Sequence, residues 1–569
     1  MEREPRRLRR THAPLRQIAL AIVALFGLWL SVLIARLQNE VAVPVAAPAA
    51  IVTPDGHVAP AEATNRTSTV LVTPTMAPPS RPPRTTSRTP VIVAPRSDVT
   101  VRPAAPPAAS VETERVAAPA PEPVEGSQGT RAAADTPPPP PEPLAITGAQ
   151  ITALSPSSAR IRWHTNLPAQ TQAAYGIDTP AVWTPAGSSG VLDHEAVLTG
   201  LSFSTHYRIW LHAVDEWNRA ETQTLALETA PMSDSTAAQT SGDRILLDDQ
   251  PFFPLAVWGQ CSDGFESNIA DGINLFMGNG CGTDRQLAPK LAGRAFSIVD
   301  AKQPNVAGKG VIGWYFPDEW DAFLASNVQR SDLEDDIPSS RPGRISFLTL
   351  TNHFYSKAEP LPQGKGMYPV LFQIPDVLGF DLYPLQVWCR PAFGDVYDSQ
   401  SELRSASGGK PTFQWIEVAR MEQPCRKHSE LDPTPATVRA EAWLSIAGGA
   451  TGIGYFPNHW SGDIGTEVSR TNHQIKALSQ ALLAPIAAAT SDTPTVRVSA
   501  RTLNGALYVI AVNTTSTTVQ AHINVDGIAG RSATVLGGSG SAVASDDKGF
   551  TDSFGPLEAR VYVIPPAGW

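Results

Sequence analysis

Eight short apolar stretches, separated by segments long enough for helices, constrain this chain more than any other feature. They are Phe252–Trp258, Ile273–Gly278, Phe296–Val299, Val311–Phe316, Ile345–Leu350, Leu378–Leu382, Thr412–Ile416 and Gly452–Phe456. Each is rich in Val, Ile, Leu and Phe and lacks the polar alternation of a half-exposed strand, so each expects cover on both faces. Eight such units over about 250 residues suit a closed (β/α)8 barrel. The alternative is an open doubly wound sheet. That fold usually carries a Gly-rich phosphate turn after its first strand, where this chain has Trp258-Gly-Gln-Cys261.

A barrel gathers its chemistry at the C-terminal strand ends. Those positions hold Trp258 and Gln260, Asn279, Asp300, Asp318 and Glu319, Asn352 and His353, Asp381 and Tyr383, Gln414 and Glu417, and Asn458, His459 and Trp460. Carboxylates, amides and aromatics converging on one mouth form an inventory for binding sugars. Only His353 and His459 are histidines at strand ends, so no metal or other cofactor is expected. The four cysteines lack the close spacing of a zinc site. Cys261 and Cys281 follow strands 1 and 2, and Cys389 and Cys425 follow strands 6 and 7. Adjacency therefore favours the disulfides Cys261–Cys281 and Cys389–Cys425 among the three possible pairings.

Region 243–490 resembles the clan of retaining glycoside hydrolases built on (β/α)8 barrels, on the strength of Gly313-Trp-Tyr-Phe-Pro-Asp-Glu319 and Thr412-Phe-Gln-Trp-Ile-Glu417. The resemblance implies Glu319 after strand 4 as acid/base and Glu417 after strand 7 as nucleophile. It departs from the clan at Asp318, where Asn is usual. One carboxyl must hold a proton near neutral pH while the other stays ionised, and burial among aromatics raises a carboxyl pKa. Asp381, in Phe380-Asp-Leu-Tyr-Pro384, is the rival second carboxylate. Asp318, Tyr383, Asn352 and His353 are candidates for contacting substrate, and Trp258, Trp388, Trp415 and Trp460 for stacking on sugar faces. The plain alternatives are that Asp318 and Glu319 start a helix, that Glu417 sits in a salt-bridged loop, and that each Trp is core. Glu441 and Trp443, on an amphipathic helix before strand 8, are expected to be structural.

The flanks have other characters. Residues 1–16 carry six arginines against Glu2 and Glu4, while the whole chain has a formal charge of -10. A basic arm on an acidic body argues against nucleic acid as the body's partner. The next 19 residues, Gln17 to Ala35, are uncharged and can just span a bilayer. With the arginines ahead of it, segment 17–36 reads as a single-pass signal anchor, N-terminus cytoplasmic and body extracytoplasmic; cleavage and secretion is the alternative. Residues 37–143 form a Pro/Ala/Thr-rich linker, with 23 of the 53 prolines lying in 41–143, a composition expected to stay extended or disordered. Strand periodicity occupies 144–231, where Trp163 and Leu201-Ser-Phe-Ser-Thr-His-Tyr207 resemble the fibronectin type III sandwich and its tyrosine corner; Trp163, Tyr207 and Trp210 are expected in its core. A second strand pattern over 494–569 suggests a C-terminal β-sandwich. Together these features suggest an anchored hydrolase of polysaccharide or oligosaccharide. The alternative is a non-catalytic carbohydrate-binding or adhesion protein on a degenerate barrel.

Overall fold

The computed structural model describes residues 142–232, 236–303, 308–339, 341–422, 425, 428–537 and 542–569. The basic arm, the anchor segment and nearly all of the linker lie outside them. Among the described residues, no helix is long and apolar enough to cross a membrane.

The eight apolar stretches form a closed parallel barrel. Its strands are β1 (Leu255–Trp258), β2 (Leu275–Met277), β3 (Phe296–Asp300), β4 (Val311–Tyr315), β5 (Ile345–Thr351), β6 (Val377–Asp381), β7 (Thr412–Glu417) and β8 (Gly452–Phe456). β8 returns to β1 through Leu255–Ile453, Ala256–Gly454 and Val257–Tyr455. The helices are α1 (Phe265–Ala270), α2 (Asp284–Leu291), α3 (Tyr368–Leu371), α4 (Phe393–Ala406), α5 (Pro435–Gly448) and α6 (Gly462–Leu482). Between β4 and β5 the described residues form short 3₁₀ turns and no α-helix.

The two faces of the strands bury different cores. Val377, Phe413 and Trp415 belong to the interior cluster with Ala256, Leu275, Ile298 and Phe347. Leu378, Phe380 and Ile416 belong to the outer cluster with Val396 of α4 and Val438 and Leu444 of α5. A three-stranded sheet (Ala238–Ser241, Arg244–Leu247, Gln250–Phe252) precedes β1. It joins the interior core through Ile245 and Leu247 and is tied to the lead-in of β5 by Ala238 N–H donating to the Gly343 carbonyl.

The N-terminal module has six antiparallel strands. Its second strand, Ser158–Gly176, pairs with Ile146–Ser155 and Val191–Leu198 mainly through its first half, and with His206–Asp215 through its second. Trp163 and Tyr207 are buried, as expected, whereas Trp210 is only half-buried. The Tyr207 hydroxyl accepts from Ser202 N–H at 2.9 Å. The C-terminal strands form two sheets over a core that includes Val509, Ile523, Phe550 and Tyr562. Trp569 wedges between the two flanking modules: its ring meets Trp183 edge-on at 5.6 Å, and its Nε1 donates to Gln172 Oε1 at 3.0 Å.

Both expected disulfides are present, Cys261–Cys281 and Cys389–Cys425. They tie down the loops after β1 and β2 and after β6 and β7.

Candidate active site in the barrel mouth

Beyond β4 the chain turns sharply. Glu319 adopts φ 48° and ψ 42°, a left-handed conformation that costs a non-glycine residue roughly 1–2 kcal/mol. A single 3₁₀ turn, Trp320–Phe323, follows, and the Glu319 side chain does not cap it. The rings of Phe316 and Trp320 stack at 5.5 Å and 10° across the bend. Asp321, fully buried, fixes the turn to β5 and α3. It accepts from Thr351 N–H at 3.0 Å, from the Thr351 hydroxyl, and from the Tyr368 hydroxyl at 2.7 Å. Sequence reasoning passed over Asp321, although it completes an acidic run in Asp318-Glu-Trp-Asp321.

β6 places Asp381 on the same face as Val377, two pairs of residues further along the interior row. Glu319 is its strongest acidic influence, acting on the Asp381 carboxyl through charge and hydrogen bonding, and two carboxyls can share a hydrogen bond only when one carries a proton. Burial pushes Asp381 well above the usual carboxylate range, and the charges of Glu319, Asp318 and Asp321 add to the effect. Its Oδ1 is buried without a hydrogen-bond partner. The Asp318 carboxyl is pushed up to about 7, first by the protein around it and then by Glu319 and Asp321. The residue is nevertheless exposed at the rim, where solvent screens part of that shift.

These three carboxylates line a cavity of about 440 Å³ together with Trp258, Thr349, Thr351, Asn352, His353, Tyr383, Trp415 and Phe456. Trp258 meets Tyr315 and Trp415 edge-on at 5.3 and 5.9 Å. Trp415 Nε1 donates to Thr349 Oγ1 at 3.1 Å. Asn352 accepts from Trp388 Nε1 at 3.3 Å, and His353 Nδ1 contacts the Glu359 carbonyl. Tyr383 stacks on Phe456 at 6.0 Å. Burial and then the charge of Asp381 hold the Tyr383 hydroxyl well above its ordinary value, so it stays a donor. Among the described residues, no lysine or arginine lines the cavity.

The position of Trp415 depends on two glycines. A β-carbon at Gly454 would lie 2.3 Å from the Trp415 ring, and one at Gly379 would lie 2.1 Å from the Phe413 ring. Gly454→Ala should therefore cost about 1–3 kcal/mol through overpacking and shift Trp415 in the cavity. A lower unfolding midpoint with altered Trp fluorescence is the expected readout; wild-type values would show that the ring can give way.

Two of the candidate residues lie apart from this lining. Glu417 does not line the cavity. Its side chain is wholly buried, and its two oxygens accept from Leu385 N–H at 2.8 Å and Gln386 N–H at 2.9 Å. Glu441 of α5 hydrogen-bonds it from behind. Burial raises both carboxyls, Glu417 to about 7 against the pull of the two amides. A carboxylate committed to two amides inside the wall braces the loop after β6. Trp460 also lies elsewhere: it packs against Tyr455, and its Nε1 donates to Asp271 Oδ2 at 3.0 Å. It borders a separate open groove with Gln260, Asn458 and His459. Asn279 and Asp300 are engaged with Asp284, through Asn279 Nδ2 and Asp300 N–H, each at 2.7 Å.

Among the described residues, no group of three or more His, Cys, Asp or Glu side chains is arranged to hold a metal ion.

No family model matches the chain, and no curated protein matches it. Its fold is similar to several solved structures. A GH30 endoxylanase from Clostridium papyrosolvens C71 shares 14% identity over 58% of this chain and 98% of that one, at TM-score 0.35. A GH2 beta-galacturonidase from Eisenbergiella tayi shares 11% over 58% and 72%, at 0.31. A beta-glucuronidase from Ruminococcus gnavus shares 11% over 55% and 61%, at 0.28. At these scores the likenesses carry no argument about chemistry, which rests on the geometry of the mouth.

Proposed function

We propose that this chain is a glycoside hydrolase, anchored through segment 17–36 with its body outside the cytoplasm, and that carboxyls at the ends of β4 and β6 perform its chemistry. The observation that carries this reading is the placement of the Glu319 and Asp381 carboxyls together in the lining of one aromatic-walled cavity at the C-terminal face of the barrel, where Glu319 helps to raise the Asp381 pKa. Asp381 is the member whose pKa is raised, so it holds the proton, and this reverses the role that the family resemblance assigns to Glu319. In a retaining cycle, Glu319 attacks the anomeric carbon while Asp381 protonates the departing glycosidic oxygen. Water then attacks the glycosyl-enzyme, loses its proton to Asp381, and releases the sugar and free Glu319. Retention requires carboxyl separations of about 5–5.5 Å, so a bound sugar must part the two groups; the left-handed backbone at Glu319 is the strained element that can yield.

The N-terminal module, with its Tyr207 hydroxyl bonded back to Ser202, suits a fibronectin type III-like spacer above a Pro-rich stalk. The close placement of Glu319 and Asp381 also favours a second reading, in which the barrel binds glycans without cleaving them. Reducing-end release from a panel of polysaccharides and aryl glycosides separates the two. Wild type should turn over at least one substrate, and Glu319→Gln should be slower by at least about 100-fold. Glycan binding with no turnover by wild type would establish the second reading.

A further inference from the structure

We infer that a second cavity, at the face of the barrel opposite the mouth, binds a small carboxylate with an apolar body, and that Lys476 holds the carboxylate. The cavity has a volume of about 220 Å³. Residues 200–205 of the N-terminal module form one side of it. Residues at or just before the starts of β1, β2 and β3 form the other, and Ile475, Lys476 and Ser479 of α6 close it. The wall on the barrel side is apolar. Phe203 and Phe252 meet Phe296 edge-on at 5.7 and 5.2 Å, with Leu255 and Ile273 buried beside them. Strand starts lie away from the carboxyls at the ends of β4 and β6, so this site stands apart from the glycosidase reading.

Lys476 supplies the charge. Its Nζ lies beside Gly272, in the turn before β2, where a β-carbon would come within 3.5 Å of it. Among the described residues this part-buried ammonium has neither an ion pair nor a hydrogen bond. Burial pulls its pKa down to about 8, and no neighbouring carboxylate holds it up. Arg294, which lines the same cavity, is already committed to Glu266 and to the Lys290 carbonyl. An ammonium out of water without a counter-charge forfeits hydration that an anion would replace. A carboxylate would meet Lys476 in a charge-assisted hydrogen bond, while its hydrocarbon body leaves water for the aromatic wall. At about 30 Å³ for each water, the cavity holds the equivalent of roughly seven waters, which sets the ligand at a single ring or a short chain. A neutral ligand would leave the ammonium unpaired, and a cationic one would repel it.

Titration calorimetry on the full chain tests this with benzoate, 3-phenylpropionate and hexanoate, each set against the alcohol and the amine of the same skeleton. At least one carboxylate should bind with a Kd below roughly 1 mM, and at least about tenfold more tightly than its alcohol and amine counterparts. Lys476→Met, which keeps the apolar stem, should lose that preference, and Lys476→Arg should keep it. Unfolding midpoints should show the same contrast, with the carboxylate raising that of wild type and not that of Lys476→Met. Absence of carboxylate binding at millimolar concentration overturns the inference, as does equal affinity for carboxylate and alcohol. Binding undiminished in Lys476→Met overturns it as well, because the anion would then sit elsewhere. Should Lys476→Met fail to fold, Phe203→Ala decides: opening the aromatic wall should weaken binding several-fold, and unchanged affinity would remove the ligand from this cavity.

Discussion

Replacing Asp381 with Asn should slow glycoside turnover by about 10²–10⁴-fold and, in the same protein, raise thermal stability at neutral and alkaline pH. The first effect follows from losing the proton that Asp381 gives to the leaving oxygen. The second follows from linkage. The folded pKa of Asp381 is raised, chiefly by burial and then by Glu319, so the folded state holds the proton more tightly than the unfolded chain. That contribution is complete below the ordinary aspartate pKa and is lost as pH rises through the folded value. Asparagine cannot ionise and so escapes the loss. The stability gap between variant and wild type should therefore be small in acid and widen toward alkaline pH. Unfolding midpoints recorded across pH, beside initial rates, check both halves. A variant that is active, or less stable at every pH, would remove Asp381 from the chemistry.

Glu417 should behave in the opposite way. Glu417→Gln should keep turnover within about tenfold of wild type, because the group it alters faces two amides inside the wall. Glu417→Ala should cost about 2–4 kcal/mol, since it leaves the buried N–H groups of Leu385 and Gln386 unpaired. The pH dependence has the same sign as for Asp381. Burial raises Glu417 from the ordinary glutamate value to about 7, so its contribution is full below the ordinary glutamate range and fades by about pH 7. Glu441, raised by burial and by the charge of Glu417, extends that loss upward, and Glu441→Gln should flatten the profile. Denaturant titrations across pH measure this directly. A loss of more than about 100-fold in turnover for Glu417→Gln would restore the nucleophile role that the family resemblance implies.

The contrast between these two residues shows how far the sequence could be read. The eight strands were legible because a parallel barrel buries both strand faces, which leaves uninterrupted apolar runs. Both disulfides followed from the same layout, since neighbouring strands bring their following loops together. The face from which each candidate leaves its strand was legible too: Val377 and Asp381 share a row, as do Phe413, Trp415 and Glu417. By that period Glu417 belongs in the mouth. What overrides the pattern is a pair of backbone amides, Leu385 and Gln386, brought within reach by the loop after β6. Their placement depends on loop geometry that no local spacing encodes. The bordering of a separate groove by Trp460 was not legible for a similar reason, because its hydrogen bond to Asp271 joins segments nearly two hundred positions apart. The left-handed turn at Glu319 left no mark either, since glutamate gives no sign of that conformation as glycine would. Asp318 and Glu319 did read as a possible helix start, and the short 3₁₀ turn after them is the remnant of that signal.

The central claim is that Glu319 and Asp381 work as one unit, and a double-mutant cycle in turnover tests it most directly. Initial rates on the best substrate would be compared for wild type, Glu319→Gln, Asp381→Asn and the double variant. Residues that act together lose most of their effect with the first substitution, so the double variant should be no more than about tenfold slower than the slower single. Losses that multiply, or singles that retain wild-type rates, would contradict a shared catalytic role for the carboxyls of β4 and β6.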